Sequence, residues 1–494
     1  MGQVRRDSIT NTAITYVGIG LGYLNKGLLF PLLLSPAQVG LANVIMLMVS
    51  FFGQFSSLGT GMIVMRFLPF VRNQQEGKKA LMTYALLMAT GGVTLTSLAL
   101  IVFHEPIVSV LGGRSPILSD YTFWVIPLGI MSTYFSILEH YLRSVGRTII
   151  SVFIQDFVLR LLVFSLLITF YFKMIEFDVF ITVFFLLQLI PGFLLFTVVV
   201  IQDQMIISGS IKSLKVKFRQ LMFQYGFFVY FNSLGRNVIL MLDATMVTAM
   251  AGLEAAGVFT TMVFLSNALF VPYVSLIRIS SPHVPRLWKN KELPELRALY
   301  TKVSLIGFFI TFSLFSLAWF GIDFLLSFLP KDYSAGKYVF LFLMLGRMFD
   351  AIGGINGDIL LTSKKYKMEV VLTIPLIVVT FGLNYYLIPI YGAVGAAIGT
   401  SFVYFTYNAV RLIVNYRYFN LHPFAIELLK VIALGMVMFT LTHFVLMTLD
   451  HQLLKALLGG ICILLLFVVP VWKARLLPEE VTTFATLLKK KVNG

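Results

Sequence analysis

Long apolar runs and short polar breaks alternate along the whole chain. The runs fall at residues 9–34, 38–68, 79–103, 120–142, 149–172 and 178–201, then at 220–250, 255–281, 303–328, 336–361, 368–389 and 391–415, and lastly at 425–448 and 453–472. A helix needs about 20 apolar residues to span the hydrocarbon core of a bilayer. The pattern therefore predicts an all-α polytopic membrane protein of about 14 transmembrane helices. The longest break on the outer side, 104–119, has no room for a soluble domain. Two further segments read as amphipathic helices lying on the inner leaflet. In 203–219, Ile206, Ile207, Ile211, Leu214 and Phe218 interleave with Lys212, Lys215, Lys217 and Arg219. In the tail from Pro478, Glu479 and Glu480 open a helix that Lys489–Lys491 close, the charge order that suits a helix dipole.

Composition agrees and adds orientation. Of 494 residues, 58% are hydrophobic and 12% are charged, about half the ~25% of an ordinary globular domain. The net charge of +16 comes from 38 Lys and Arg against 22 Asp and Glu. In a soluble protein that excess points to nucleic acid; here its distribution points to topology. With the N-terminus in the cytoplasm, 29 of the 38 basic residues fall on the inner side and five outside: Arg114, Lys173, Lys331, Lys337 and Lys455. That asymmetry is the positive-inside rule, and it places both termini in the cytoplasm. The first run follows Arg5 and Arg6 without a small-residue cleavage site and reads as a retained helix rather than a signal peptide. The single cysteine, Cys462, lies in an apolar run and allows no intrachain disulfide.

An offset of 216–218 residues brings one half of the chain onto the other. Ser35-Pro36-Ala37-Gln38-Val39-Gly40 meets Gly252-Leu253-Glu254-Ala255-Ala256-Gly257, each in the turn between a half's first two helices. Pro69 meets Pro285, Glu76 meets Glu292, Leu142-Arg143-Ser144 meets Leu360-Leu361-Thr362, and Arg147 meets Lys365. Six helices per half make the repeat parallel, with a pseudo-twofold axis along the membrane normal and a cleft between two bundles as the place for a polar substrate. The expected organisation is a six-helix bundle at 1–202, an amphipathic linker at 203–219, a second bundle at 220–420, two additional helices at 421–472 and the tail at 473–494.

Several local motifs occur in a telling order. An Arg-containing start precedes a polar first helix with Gly22-Tyr23-Leu24-Asn25, then a Leu-Ser-Pro-x-Gln-x-Gly-Leu turn at Leu34–Leu41, then Phe55-Ser56-Ser57-Leu58-Gly59 and Arg66-Phe67-Leu68-Pro69-Phe70. Over residues 1 to about 420 this resembles the polysaccharide-export branch of the multidrug/oligosaccharidyl-lipid/polysaccharide exporter superfamily, the O-antigen and lipid-linked-oligosaccharide flippases. The resemblance implies that superfamily's exporter fold, shared with the multidrug exporters. It also implies a flippase that moves undecaprenyl-diphosphate-linked oligosaccharide from the cytoplasmic to the outer leaflet of a bacterial inner membrane, for lipopolysaccharide O-antigen or other surface polysaccharide. Its partners would be that substrate, membrane lipids and polysaccharide-assembly proteins, with H+ or Na+ coupling and no cofactor.

Four bases lie inside predicted spans: Lys26, Arg160, Arg236 and Arg347. A lipid-facing Lys or Arg at mid-bilayer costs at least about 2.5–3.5 kcal/mol, so each needs water, a partner or an anionic ligand. Asp156 stands four residues before Arg160, the spacing of a structural ion pair. Lys26, Arg236 and Arg347 are candidates for binding a substrate diphosphate, with interhelical ion pairs as the alternative. Arg278, at an inner helix end, is a candidate for first contact with the diphosphate, with simple inner-side placement as the alternative. The acids Asp243, Asp350 and Asp358 are candidates for ion coupling or gating. By the repeat, Lys26 falls on Asp243, which suggests a gate pair, and His140 on Asp358. Glu139 and Arg143 are spaced for a surface pair. Gly346, Gly353, Gly354 and Gly357 suggest a bend or cavity wall beside Arg347 and Asp350.

Other functions stay open: a multidrug/cation antiporter of the same fold, a peptidoglycan-precursor flippase or, from a different class, a membrane-embedded sugar polymerase or ligase. The short outer breaks and scattered histidines favour transport over an enzyme, and no nucleotide-binding motif is present. A fluorescent protein fused after Asn73 and alkaline phosphatase fused after Arg114 are both expected to be active. Phosphatase activity at Asn73 would invert the assignment.

Overall fold

The computed structural model describes residues 17–18, 20–71, 74–112, 117–203, 211, 214–365, 367–474 and 476–477, and every regular element among them is helical. α1 is a π-helical stretch, Tyr23–Leu29, that runs into Phe30–Leu33. α2 is Pro36–Ser57, continued past Leu58 and Gly59 as Thr60–Val71. α3 is Gln75–Val102, α4 is Val125–Ser144, α5 is Thr148–Tyr171 and α6 is Phe177–Asp203. α7 and α8 form one run, Val216–Ser280, kinked at Gly252. α9 is Leu293–Ser327, and α10 is Gly336–Gly353 followed by Asn356–Thr362. α11 is Lys367–Tyr391, α12 is Ala393–Phe419, α13 is Ile426–Met447 and α14 is Gln452–Lys473.

Among the described residues, helix thus occurs in each of the fourteen predicted runs. Among the described residues nine helices are long and apolar enough to cross a bilayer on that criterion alone, or ten with the bent α10. α11 contributes only a shorter apolar stretch, Pro375–Tyr391, and α12 carries Asn408, Arg411 and Asn415. Residues 204–210, 212–213 and the tail from Pro478, where most of the two amphipathic segments were expected, lie outside the described residues.

The repeated turn motif has a direct physical reading. Ser35 caps α2 in a capping box: Gln38 N donates to Ser35 Oγ at 3.3 Å, and Ser35 N donates to Gln38 Oε1 at 3.0 Å. Pro36 takes the first helical position, where its missing N–H costs nothing. The matching turn of the second half is shorter than expected. A single residue, Gly252 at φ 89° and ψ 177°, separates α7 from α8, a conformation open only to glycine. Elsewhere the helix limits follow the repeat. α3 begins at Gln75 and α9 at Leu293, while α6 spans Phe177–Asp203 and α12 spans Ala393–Phe419.

Packing divides the chain into two compact units, Met1–Thr260 and Thr261–Gly494. The first includes α7 and the opening turns of α8, because Leu253 and Gly257 lie against Pro36 and Gly40 of α2. Its main core joins Ile63, Phe67, Leu81, Ala85, Leu138 and Tyr141 from the second part of α2, α3 and α4. In the second unit α13 and α14 are fastened to α9 by aromatic rings. Phe312 meets Phe467 edge-on at 5.1 Å, and Phe439 stacks on Phe315 at 5.6 Å. α10 bends by 51° where Gly354, at φ 54°, separates its two pieces, so its cluster of glycines coincides with a bend.

Candidate functional site

In the first unit, the polar residues of α1 gather where α1 and α5 each contain a π-helical stretch, Tyr23–Leu29 and Phe153–Val158. Such stretches widen the helix by one residue and are frequent at functional positions. Arg160 is held from several directions. Its Nη2 pairs with Asp156 Oδ1 at 2.7 Å, its Nη1 donates to the Gly18 carbonyl, and its own carbonyl accepts from Asn25 Nδ2 at 2.7 Å. Two glycines that precede the π turn, Gly18 and Gly22, make this approach possible. A Cβ at Gly18 would strike the Asp156 carbonyl, and one at Gly22 would lie 2.7 Å from Arg160 Nη1. Lys26, on the π turn itself, is exposed and has no carboxylate within ion-pair distance among the described residues. Asp243 is half-buried on α7. Arg236 lies on α7 too, but its side chain is outside the described residues.

The second unit holds the larger polar assembly, where α8, α10, α11 and α12 meet. The Arg347 guanidinium lies 4.8 Å from the centre of the Phe270 ring and 5.2 Å from that of Tyr404, and its Nη2 donates to Asn267 Oδ1 at 2.5 Å. Gly346 lets α10 approach Ser401 and Tyr404 of α12 closely enough to set this cradle. Asp350, three residues on, is not its ion-pair partner. Its Oδ1 accepts from Asn408 Nδ2 at 3.1 Å, and its backbone carbonyl accepts from Tyr273 at 3.0 Å. A buried amide chain continues from there. Asn356 Nδ2 donates to Asn408 Oδ1 at 2.9 Å, and Asn415 Nδ2 to the Asn356 carbonyl at 2.9 Å. Asp358 accepts from the Ser281 hydroxyl. Arg278, at the end of α8, is exposed.

Beside this amide chain lies an ion pair that the hydrophobic pattern does not reveal. Arg411 of α12 and Glu369 of α11 form an ion pair with side chains only 17% and 13% exposed. Arg411 Nε also donates to Glu369 Oε2 at 3.2 Å, and Tyr407 donates to Oε1 at 2.7 Å while its ring faces the guanidinium at 3.7 Å. Both charges sit near span ends, where the positive-inside count absorbs the arginine. The available signal was the i,i+4 spacing of Tyr407 and Arg411 on the polar face that also carries Asn408 and Asn415. In the first unit Glu139 and Arg143 make their i,i+4 pair at 2.5 Å, and His140 hydrogen-bonds the Ser136 carbonyl at 2.7 Å.

No family model matches this sequence. Over 171 residues the chain is 26% identical to the capsular polysaccharide biosynthesis protein CapF of Staphylococcus aureus; the match takes in 34% of this chain and spans 41% of that relative's length. Among solved structures, it resembles the lipid II flippase MurJ in an inward closed conformation, with a TM-score of 0.71 at 15% identity, over 94% of this chain and 99% of that one. It also resembles an inward-facing multidrug resistance MATE family transporter of the MOP superfamily, with a TM-score of 0.63 at 13% identity, over 83% of this chain and 97% of that one. The chain is therefore a multi-pass membrane protein with the transporter fold shared by MurJ and the MATE proteins.

The ion pairs differ in what they do for the fold. Removing one partner of a buried pair strands the other, at about 3–5 kcal/mol, whereas an exposed pair contributes about 0–1 kcal/mol. Arg411→Met is expected to lower the thermal unfolding midpoint of the detergent-purified protein by several degrees, and Arg143→Gln to leave it nearly unchanged. Equal shifts would show that the Glu369–Arg411 pair is not structural.

Proposed function

We propose that this chain, built on the MOP transporter fold, is a flippase for undecaprenyl-diphosphate-linked oligosaccharide. It carries the substrate from the cytoplasmic to the outer leaflet of a bacterial inner membrane for surface polysaccharide, working by alternating access and catalysing no covalent step. The observation that carries this reading is the state of Arg347. A guanidinium placed in a spanning helix, with no carboxylate within ion-pair distance among the described residues, is open to an anionic ligand. Its faces are covered by Phe270 and Tyr404, so what remains for a ligand is the N–H edge, of which one donor is used by Asn267. An arginine carries five N–H donors in a planar fork, and that edge matches two oxygens of a phosphate group.

Lys26, exposed and likewise without a carboxylate partner among the described residues, and Arg236 supply further positive charge for the diphosphate, and Arg278 meets it on entry. The acids are suited to coupling rather than to binding an organic cation. Asp350 and Asp358 are engaged by Asn408 and Ser281, contacts that a proton or Na+ can alter, and Asp243 completes the set with Lys26 as its gate partner. Asp156 and Arg160 hold α1 to α5. The likeness to a capsular polysaccharide biosynthesis protein supports a saccharide substrate over a drug, and membrane lipids and polysaccharide-assembly proteins are the partners such a role requires.

Arg347→Gln is expected to weaken binding of purified undecaprenyl-diphosphate-linked saccharide, followed by native mass spectrometry, by about 10- to 100-fold, the equivalent of a charged hydrogen-bonded contact of ~1.5–3 kcal/mol. Arg347→Lys should recover part of that loss, because the charge returns without the fork. In cells, Arg347→Gln and Arg236→Gln should each abolish surface polysaccharide while the protein still reaches the membrane. Normal polysaccharide in both variants would sink the reading.

A further inference from the structure

The first unit contains a contact between residues that the repeat makes equivalent. Asn43 Nδ2 donates to Thr260 Oγ1 at 2.9 Å, and the two positions are 217 residues apart, the offset of the repeat. One and two turns earlier the backbones themselves meet. A Cβ on Gly40 would strike the Leu253 carbonyl, and a Cβ on Gly257 would strike the Pro36 carbonyl and stand 3.0 Å from Gly40 N. Pro36 and Leu253, Gly40 and Gly257, Asn43 and Thr260 are three equivalent pairs, and the two glycine contacts are reciprocal. Residues related by a twofold touch one another only beside the axis, so the first turns of α2 and α8 cross on it.

We infer that this glycine crossing is a reversible seal at the end of the α1–α2 and α7–α8 turns, the end that the basic residues assign to the outside, and that α2 and α8 part here whenever that end opens. The layer is dry: Val39, Leu41, Leu253, Ala256 and Val258 are each no more than 3% exposed. No lipid head group passes between two backbones in contact. The bonding is also weak enough to break in every cycle. A single side-chain hydrogen bond between membrane helices contributes little, and glycine contacts add short-range packing and weak Cα–H···O interactions. An equilibrium held by so little can be tipped by a ligand with a modest preference for one state. Side-chain charge takes no part in this contact, so the seal is independent of any Lys26–Asp243 pair and of the identity of the substrate.

The symmetry makes the inference testable at two sites far apart in sequence. A methyl group at either glycine meets the partner's carbonyl, so Gly40→Ala and Gly257→Ala should act alike. In a Cys462→Ser background, the pair Asn43→Cys and Thr260→Cys should be joined in membranes by a short bis-methanethiosulfonate reagent. Either alanine variant should reduce that joining several-fold and raise labelling of Asn43→Cys by a membrane-impermeant maleimide added outside. If an alanine variant does not reach the membrane, Asn43→Ala with Thr260→Cys as the labelled site should raise labelling in the same direction without added bulk. Failure of the cysteines to join, or labelling unaffected by these variants, would overturn the seal. Neither readout uses a transported substrate, so its failure would leave the flippase reading standing, and loss of the flippase reading would leave the seal.

Discussion

A positive charge inside a bilayer has to be met by another group, and the different ways in which this chain meets its arginines organise both of its units. Arg160 is met by Asp156 and by the Gly18 carbonyl, and its own carbonyl by Asn25, which ties a polar first helix to α5. Arg411 is met by Glu369 and Tyr407, which ties α12 to α11. Arg347 is met by two aromatic rings and an amide oxygen. The first two arrangements complete a charge balance; the third leaves it open. That contrast separates arginines whose side chains are joined to a carboxylate from one held by rings and an amide, and burying a charge is costly unless neighbouring groups meet it.

The same economy of polar groups explains where the helices come close. Main-chain carbonyls and amides are satisfied within each helix, so approach between helices is limited by side-chain bulk rather than by a search for partners. Glycine sets three such places: Gly18 and Gly22 under Arg160, Gly346 beside Tyr404, and Gly40 against Gly257. In the first two the space admits a charged or aromatic side chain. In the third it admits only another backbone, which is what a seal requires and a binding site does not.

Much of the architecture was legible in the residues taken one after another. Among the described residues each apolar run holds helix, the Ser-Pro-x-Gln turn became a capping box, and the clustered glycines of α10 became a bend. These are local consequences of hydrophobic length, side-chain capping and backbone freedom. Two expectations were too coarse. The second half's first turn shrank to Gly252 alone, because one residue in a conformation open only to glycine redirects a helix without a loop. And the polar assembly of the second unit extended beyond Arg347 and Asp350 to Asn356, Asn408, Asn415, Arg411 and Glu369. Amides and span-end charges give little periodic signal, and they become a network only when four helices bring them together.

By itself, then, the sequence determined that the chain is helical and spans a membrane, and how its helices are punctuated, since these depend on properties of neighbouring residues. Tertiary structure decided which charge answers which. Asp350 stands one turn from Arg347 and suggests an ion pair by spacing, yet α12 presents Asn408 to the carboxylate and Tyr404 to the guanidinium. It also decided that the repeat's offset is realised as physical contact at Asn43 and Thr260. Periodicity places a residue on a face of its own helix; only packing selects what that face meets.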